Sequence, residues 1–295
     1  MTPRVFVNRQ WQHFFGAGLV KTVEDFGSQG ERPSHPELLD WLAADFVESG
    51  WNVKQLQKQI VMSATYRQSS TMTPELLEMD PSNQFLTRGP RFRLTSQAIR
   101  DQALALSGLL VEHIGGPPVK PYQPPGIWSD LSLGKISYQR DQGDSLYRRS
   151  LYTFWRRASG PTMLFDTAAR QVCTVRQYRT NTPLHALVLL NDTTFVEAAR
   201  KFAERVMQAE DQLADRVALA FRMATARMPT DAESDQLVKM YRQAYQDYQA
   251  DLDAARQLVT VGESKSNAAL DAAEFAAYTT VTLAILNLDE VVTKE

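Results

Sequence analysis

Imidazole titrates near neutral pH and binds metals, so the four histidines of this 295-residue chain are its first candidates for chemistry. His13 follows Arg9 by four residues, which makes the two neighbours on a helix. His35 opens an apolar-periodic run, where free helix N–H groups favour anions. Asp25 lies in the glycine-containing loop between them. His13, Asp25 and His35 are therefore the candidate catalytic set, as acid/base groups or as a cluster of metal-ligating types. Their spacing matches no ligand motif, and no metal site is assigned. The competing reading is that they hydrogen-bond loop backbone. His113 near a helix end and His185 in the first turn of a short helix call for no chemistry.

A second constellation is arginine-rich. Residues 140–179 hold eight arginines (140, 148, 149, 156, 157, 170, 176 and 179) against Asp141, Asp144 and Asp166, with Tyr147, Tyr152, Phe154, Trp155, Phe165 and Tyr178 interleaved. Forked guanidinium donors beside aromatic faces suit an anionic or sugar-like ligand. The candidate ligand-binding residues are Arg9, Arg149, Trp155, Arg170, Arg176 and Arg179. The competing reading is that these arginines pair with carboxylates and tie loops together. Cys173, flanked by Val172 and Thr174, reads as a buried, inert thiol. Haem-attachment and zinc Cys-x-x-Cys motifs, the phosphate-binding loop, the Gly-x-Ser-x-Gly elbow and Gly-x-Gly-x-x-Gly are all missing.

Composition bounds the class. The chain is 43% hydrophobic and 22% charged, which is too apolar for a disordered polymer. One cysteine excludes a disulfide scaffold. A net charge of −2 gives no overall pull toward nucleic acid. No uncharged apolar run reaches the roughly 18 residues of a membrane span.

The elements that must position these groups read mostly as helices. Thr2-Pro3 opens the first, with Val7, Trp11, Phe14 and Phe15 at helical spacing. There is no signal-peptide pattern, and so large an aromatic face at a free terminus predicts the tail of something longer. Ser34 to Glu37 reads as a capping box, with Leu38, Leu39, Trp41, Leu42 and Phe46 facing inward. Asn52 caps the next helix and Ser96 opens another. Residues 115–147 carry five prolines, five glycines and no helical period, a long loop of the kind that is usually functional. Residues 148–157 alternate as a strand does, with Phe92 and Leu94 as a short partner. Thr182-Pro183 starts a short apolar helix. Thr194–Glu197 and Thr230–Glu233 read as further capping boxes, the second opening a long helix whose stripe runs from Leu237 to Ala255. A last helix spans about 267–288. The expected core includes Trp11, Phe15, Trp41, Leu42, Phe46, Leu56, Ile60, Leu106, Leu187, Phe202, Phe221 and Leu283.

Several strings together resemble a planctomycete-type bacterial domain, the domain of unknown function 1553. They are Arg4–Gly16 (RVFVNRQWQHFFG), Asp25–Gly27, Pro33–Leu42, Ser63–Ser69, Gly115–Pro117, Arg148–Trp155, Thr180–Leu184 and Leu286–Glu290. They cover nearly the whole chain in order. The resemblance implies the C-terminal domain of an exported protein, hence an extracytoplasmic setting. It also implies upstream domains of the same polypeptide as partners, often with a c-type cytochrome among them. Haem c would then belong to a separate domain, with no cofactor in this chain. Two positions depart from the family pattern. Phe14 stands where a second histidine is common, which weakens a paired-histidine metal site. His185 stands where glutamine is usual.

The expected fold is mainly α, with a small β-hairpin and a long Pro/Gly-rich central loop. It is read as one domain over 1–295, divisible into 1–182 and a helical 183–295. The first functional reading is an accessory binding module of a larger exported protein, taking a polysaccharide or other anionic ligand beside a cytochrome c domain, without nucleic acid and without a membrane span. One alternative is an enzyme, hydrolytic or associated with an oxidoreductase, using His13, Asp25 and His35. The other is a purely structural docking domain.

Overall fold

The computed structural model describes residues 1–124, 126, 128, 137–154, 175 and 179–294. The chain is mainly helical, as its periodicity predicts, and among the described residues it carries one small two-stranded antiparallel sheet. No helix among the described residues is long and apolar enough to cross a membrane. The chain divides into two compact units, one built on Met1–Arg93 with Thr293–Glu295, the other on Leu94–Val172 and Arg179–Val292. Helices on both sides of residue 182 share the second unit.

In the first unit, α1 (Thr2–Phe15), α2 (Pro36–Glu48) and α3 (Val53–Met62) enclose Val7, Trp11, Phe15, Leu39, Leu42, Phe46, Leu56 and Ile60. Phe6 stacks on Phe46 at 4.9 Å and Trp11 on Phe15 at 4.1 Å. Asn52 caps α3 by accepting from the Gln55 N–H. Three expectations need correcting. Trp41 is 56% exposed, because it lies two residues, about 200° around the helix, from Leu39. Ser34 is not the cap of α2. Pro36 occupies the first helical position, so His35 is the N-cap residue, and Ser34 turns back to the Leu19 carbonyl. Short helices α4 (Ala64–Arg67) and α5 (Pro74–Met79) follow. Strand β1 (Phe92–Arg93) pairs with β2 (Thr293–Lys294), not with residues 148–154; the rest of the expected strand, 155–157, lies outside the described residues.

The second unit is helical. It contains α6 (Ser96–Ser107), α7 (Pro183–Asn191), α8 (Thr193–Ala209), α9 (Leu213–Thr225), α10 (Asp231–Ala250), α11 (Leu252–Val259), α12 (Ala272–Leu286) and α13 (Asp289–Val292). Helix α8 is central, packed against α6 and α12. Its core includes Phe195, Phe202, Phe221, Phe275 and Ile285. Leu106 and Leu283 pack at its edge, whereas Leu187 is 57% exposed, because His185 and Leu189 are the residues α7 turns inward. The stripe expected to continue to Ala255 is interrupted at Asp251, whose carboxylate accepts from the Ala254 N–H and starts α11. Residues 148–154 form no regular strand. A 3-10 turn at Ser150–Tyr152 and isolated parallel bridges, Val111 with Arg148 and Val119 with Thr153, account for their alternation. Their partners are thus Val111, just before the Pro/Gly-rich central loop, and Val119 within it.

Candidate binding cleft

A cleft of about 690 Å³ opens in the first unit at the C-terminal end of α1. Its first wall is the turn that leaves the helix. Gly16 ends α1 at φ 79°, and a Cβ there would lie 2.8 Å from Cδ1 of Phe92, so glycine alone lets that ring close the corner. The next residues are held by Asn8, fully buried on α1. Its Nδ2 donates to the Val20 carbonyl at 3.0 Å, and its Oδ1 accepts from the Val20 N–H at 2.8 Å. One side-chain amide therefore fixes the loop by satisfying both backbone groups of a buried residue.

The opposite wall is the 80–90 loop, organised by two buried charged side chains. The Asp80 carboxylate accepts from the N–H groups of Gln84 and Phe85 at 2.7 and 2.8 Å. The Arg88 guanidinium donates to the Asp80 carbonyl at 2.8 Å and the Pro81 carbonyl at 3.2 Å. Asn83 in the left-handed region (φ 52°) clamps Arg88 backbone through both ends of its amide. Sequence reading passed over this loop. The signal was present in Asp80, Pro81 and Asn83, residue types that hydrogen-bond or pre-set tight turns.

The lining mixes Ser34, Ser70, Thr71, Ser82 and Asn83 with the rings of Phe15 and Phe92. Lys21, Arg88 and Arg91 are its charged members, and no carboxylate lines it among the described residues. Lys21 Nζ donates to Gln84 Oε1 at 3.0 Å, linking the two walls. The chain carries a net charge of −2, so this concavity opposes the sign of the whole.

The histidine–aspartate set is placed differently. None of His13, Asp25 and His35 lines the cleft. His13 is exposed near the end of α1. Asp25 makes a turn, its Oδ1 accepting from the Gly27 N–H at 2.6 Å. His35 Nδ1 lies 2.9 Å from the Ser34 hydroxyl. No group of three or more His, Cys, Asp or Glu side chains suited to a metal ion occurs among the described residues. His185 closes a capping box, its Nδ1 accepting from the Thr182 N–H.

Of the arginine set, Trp155, Arg170 and Arg176 lie outside the described residues, as does Cys173. Arg9 is exposed on α1 and does not line the cleft; Arg149 is exposed in the second unit, 3.9 Å from Asp101. Arg179 is half-buried. Arg148 is buried instead, donating to the carbonyls of Pro117, His113 and Gly115 and stacking over Tyr152. Arg100, equally buried, donates to the Leu146 and Arg148 carbonyls. Arg148 thus ties loops together, as the competing reading of residues 140–179 expects, and Arg100 on α6 anchors the same stretch.

A further buried cluster surrounds Glu197 and Arg200 on α8. Glu197 Oε1 accepts from the Tyr147 hydroxyl at 2.8 Å and from the Ser264 N–H at 2.6 Å. Arg200 donates to the Val261 and Ser264 carbonyls. Burial, then the bond to Glu197, pushes the Tyr147 phenol up; burial and the nearby Glu197 charge push Tyr122 up to about 12. Burial also lowers the Arg200 guanidinium. Gly262, at φ 92°, is obligatory, since a Cβ would sit 2.2 Å from the Glu197 carboxyl carbon. The capping box expected at Thr194–Glu197 does not form; Asp192 is the cap. Sequence spacing hides this cluster, because Glu197 falls in line with Lys201, Glu204 and Gln208 on what reads as the polar face of an amphipathic helix, and only the tertiary structure buries it.

Fold and site together define a mainly helical protein with a cationic, hydroxyl-lined cleft. Residues 1–241 match the family described as PSD1, a protein of unknown function (DUF1553), and the chain belongs to that family. No curated protein and no solved structure matches it.

Proposed function

We infer that this chain is an accessory binding module of a larger exported protein and that its cleft takes an anionic, hydroxyl-rich ligand of the polysaccharide type. The observation that carries this reading is the lining of the cleft. Its charged side chains are all cationic, with serine, threonine and asparagine groups to meet hydroxyls and the half-buried Phe92 ring to meet an apolar sugar face. The guanidinium of Arg88 is held by backbone carbonyls and supplies field, so we assign the anion to the exposed cations of the lining, Lys21 and Arg91, and test it at Lys21. Resemblance to the exported family supports the extracytoplasmic setting, with upstream domains of the same polypeptide as partners and haem c held by one of them.

Calorimetric titration of the full chain with polygalacturonate, a sulfated dextran and neutral dextran tests the reading. We expect binding of the first two, weakening with salt, and at least about tenfold loss in Lys21→Glu, since an exposed ion contact is worth up to about 1 kcal/mol and reversing the charge replaces it with a repulsion of similar size. Equal affinity for neutral dextran, or no uptake of either acidic glycan, refutes it.

A further inference from the structure

A second concave surface, independent of the cleft, lies in the second unit. Helices α10 and α12 bound an apolar groove of about 800 Å³ floored by Phe221, Leu237, Ala244 and Ala284. Along α10 it runs from Ala232 to Asp247, about 22 Å or four turns. Met240 stands on its rim, 39% exposed. Two of the rim charges, Glu233 and Glu290, are already engaged by Arg227. Two others remain available. Lys239 forms no ion pair among the described residues, and Asp247 accepts only a neutral amide donor, Gln243 Nε2, at 3.0 Å.

The placement of these two charges is specific. Lys239 and Asp247 stand four residues to either side of Gln243, on one i±4 ridge of an exposed helix face. An isologous contact requires a surface complementary to itself under a two-fold rotation. A ridge that reads cation, amide, anion meets that requirement. With the axis through Gln243, Lys239 of each copy lies beside Asp247 of the other, so the ion pair forms twice while the apolar groove is covered. Ridges packed in this way cross at about 50°, so Asp235 and Asp251, further along the same ridge, diverge from each other. We propose that the α10–α12 face is the interface with a second copy of this chain.

Sedimentation velocity on the full chain, from low micromolar to several hundred micromolar, tests the proposal. A concentration-dependent dimer is expected. Lys239→Asp and Asp247→Lys should each weaken it at least about tenfold, since each turns two attractions into two repulsions. The doubly exchanged K239D/D247K chain should return to within about threefold of the parent. All three positions of the ridge are exposed, and circular dichroism verifies that the variants keep the parental fold. A chain that stays monomeric throughout overturns the proposal, including one whose groove takes up an amphipathic helical peptide or a fluorescent fatty acid instead. So does a dimer that is indifferent to the exchanges.

Discussion

Replacing Asn8 by alanine tests how the cleft is built without requiring any ligand. The Asn8 amide is the partner of both the N–H and the carbonyl of Val20, a residue 2% exposed. Alanine removes both bonds and leaves a buried donor and a buried acceptor with no replacement. Each such orphan costs about 1–3 kcal/mol, so the substitution should destabilise the first unit by about 2–6 kcal/mol. The loop from Gly16 to Val20 would also lose its tether, and the cleft its first wall. Two measurements check this. Urea denaturation gives the loss of stability, and amide hydrogen exchange at Val20 should lose most of its protection at the same time. A loss below about 1 kcal/mol with the Val20 amide still protected would show that the loop is held by something other than this amide, and the account of the wall would fail.

Two further predictions concern the second unit. Gly262→Ala should cost about 3–5 kcal/mol, combining left-handed strain with loss of the Ser264 bond to the buried Glu197 carboxylate. Gly108→Ala, at φ 76° with nothing within 4 Å of its Cβ, should cost only the strain, about 1–2 kcal/mol; equal losses in the two variants would refute the crowding argument. The second concerns acid. Hydrogen bonds from Arg227, then from Thr230, hold the Glu233 carboxyl at about 2, below its ordinary range. Its folded value is depressed, so the stability it contributes is present above the unfolded value near 4.5 and is lost as pH falls toward about 2. The melting-temperature gap between the parent and Glu233→Gln should therefore narrow across that window and shrink with salt, because the pair is exposed; a gap constant from neutral pH down to pH 2 would contradict the assignment.

The parts of the fold legible in sequence share one property, that they depend on neighbours within a turn or two. Asn52 and the Thr230–Glu233 box cap their helices because the groups they satisfy lie two or three residues away. The inward faces of α1 and α3 followed from spacing alone. Where two local solutions compete, the reading failed. Ser34 and His35 are both placed to precede a helix, and the proline at the first position chose between them. Glu197 matches a capping box by spacing, yet Asp192 already caps the helix, and the carboxylate turns inward to Tyr147 and Ser264.

By itself, then, the sequence determined the class of the protein, most of its longer helices, several of their caps and its family resemblance, since amphipathic period and capping are properties of contiguous residues. It did not determine that Phe92–Arg93 pairs with Thr293–Lys294, two hundred residues away. Nor did it show that the 16–21 turn and the 80–92 loop face each other across a cation-lined cleft while His13 and Asp25 stay outside it. The alternation of residues 148–154 is equally a strand pattern and the pattern of a segment bridging to Val111 and Val119. Tertiary structure decided these because they depend on which distant backbone groups each segment satisfies, and a donor or acceptor carries no local mark of the partner it will meet.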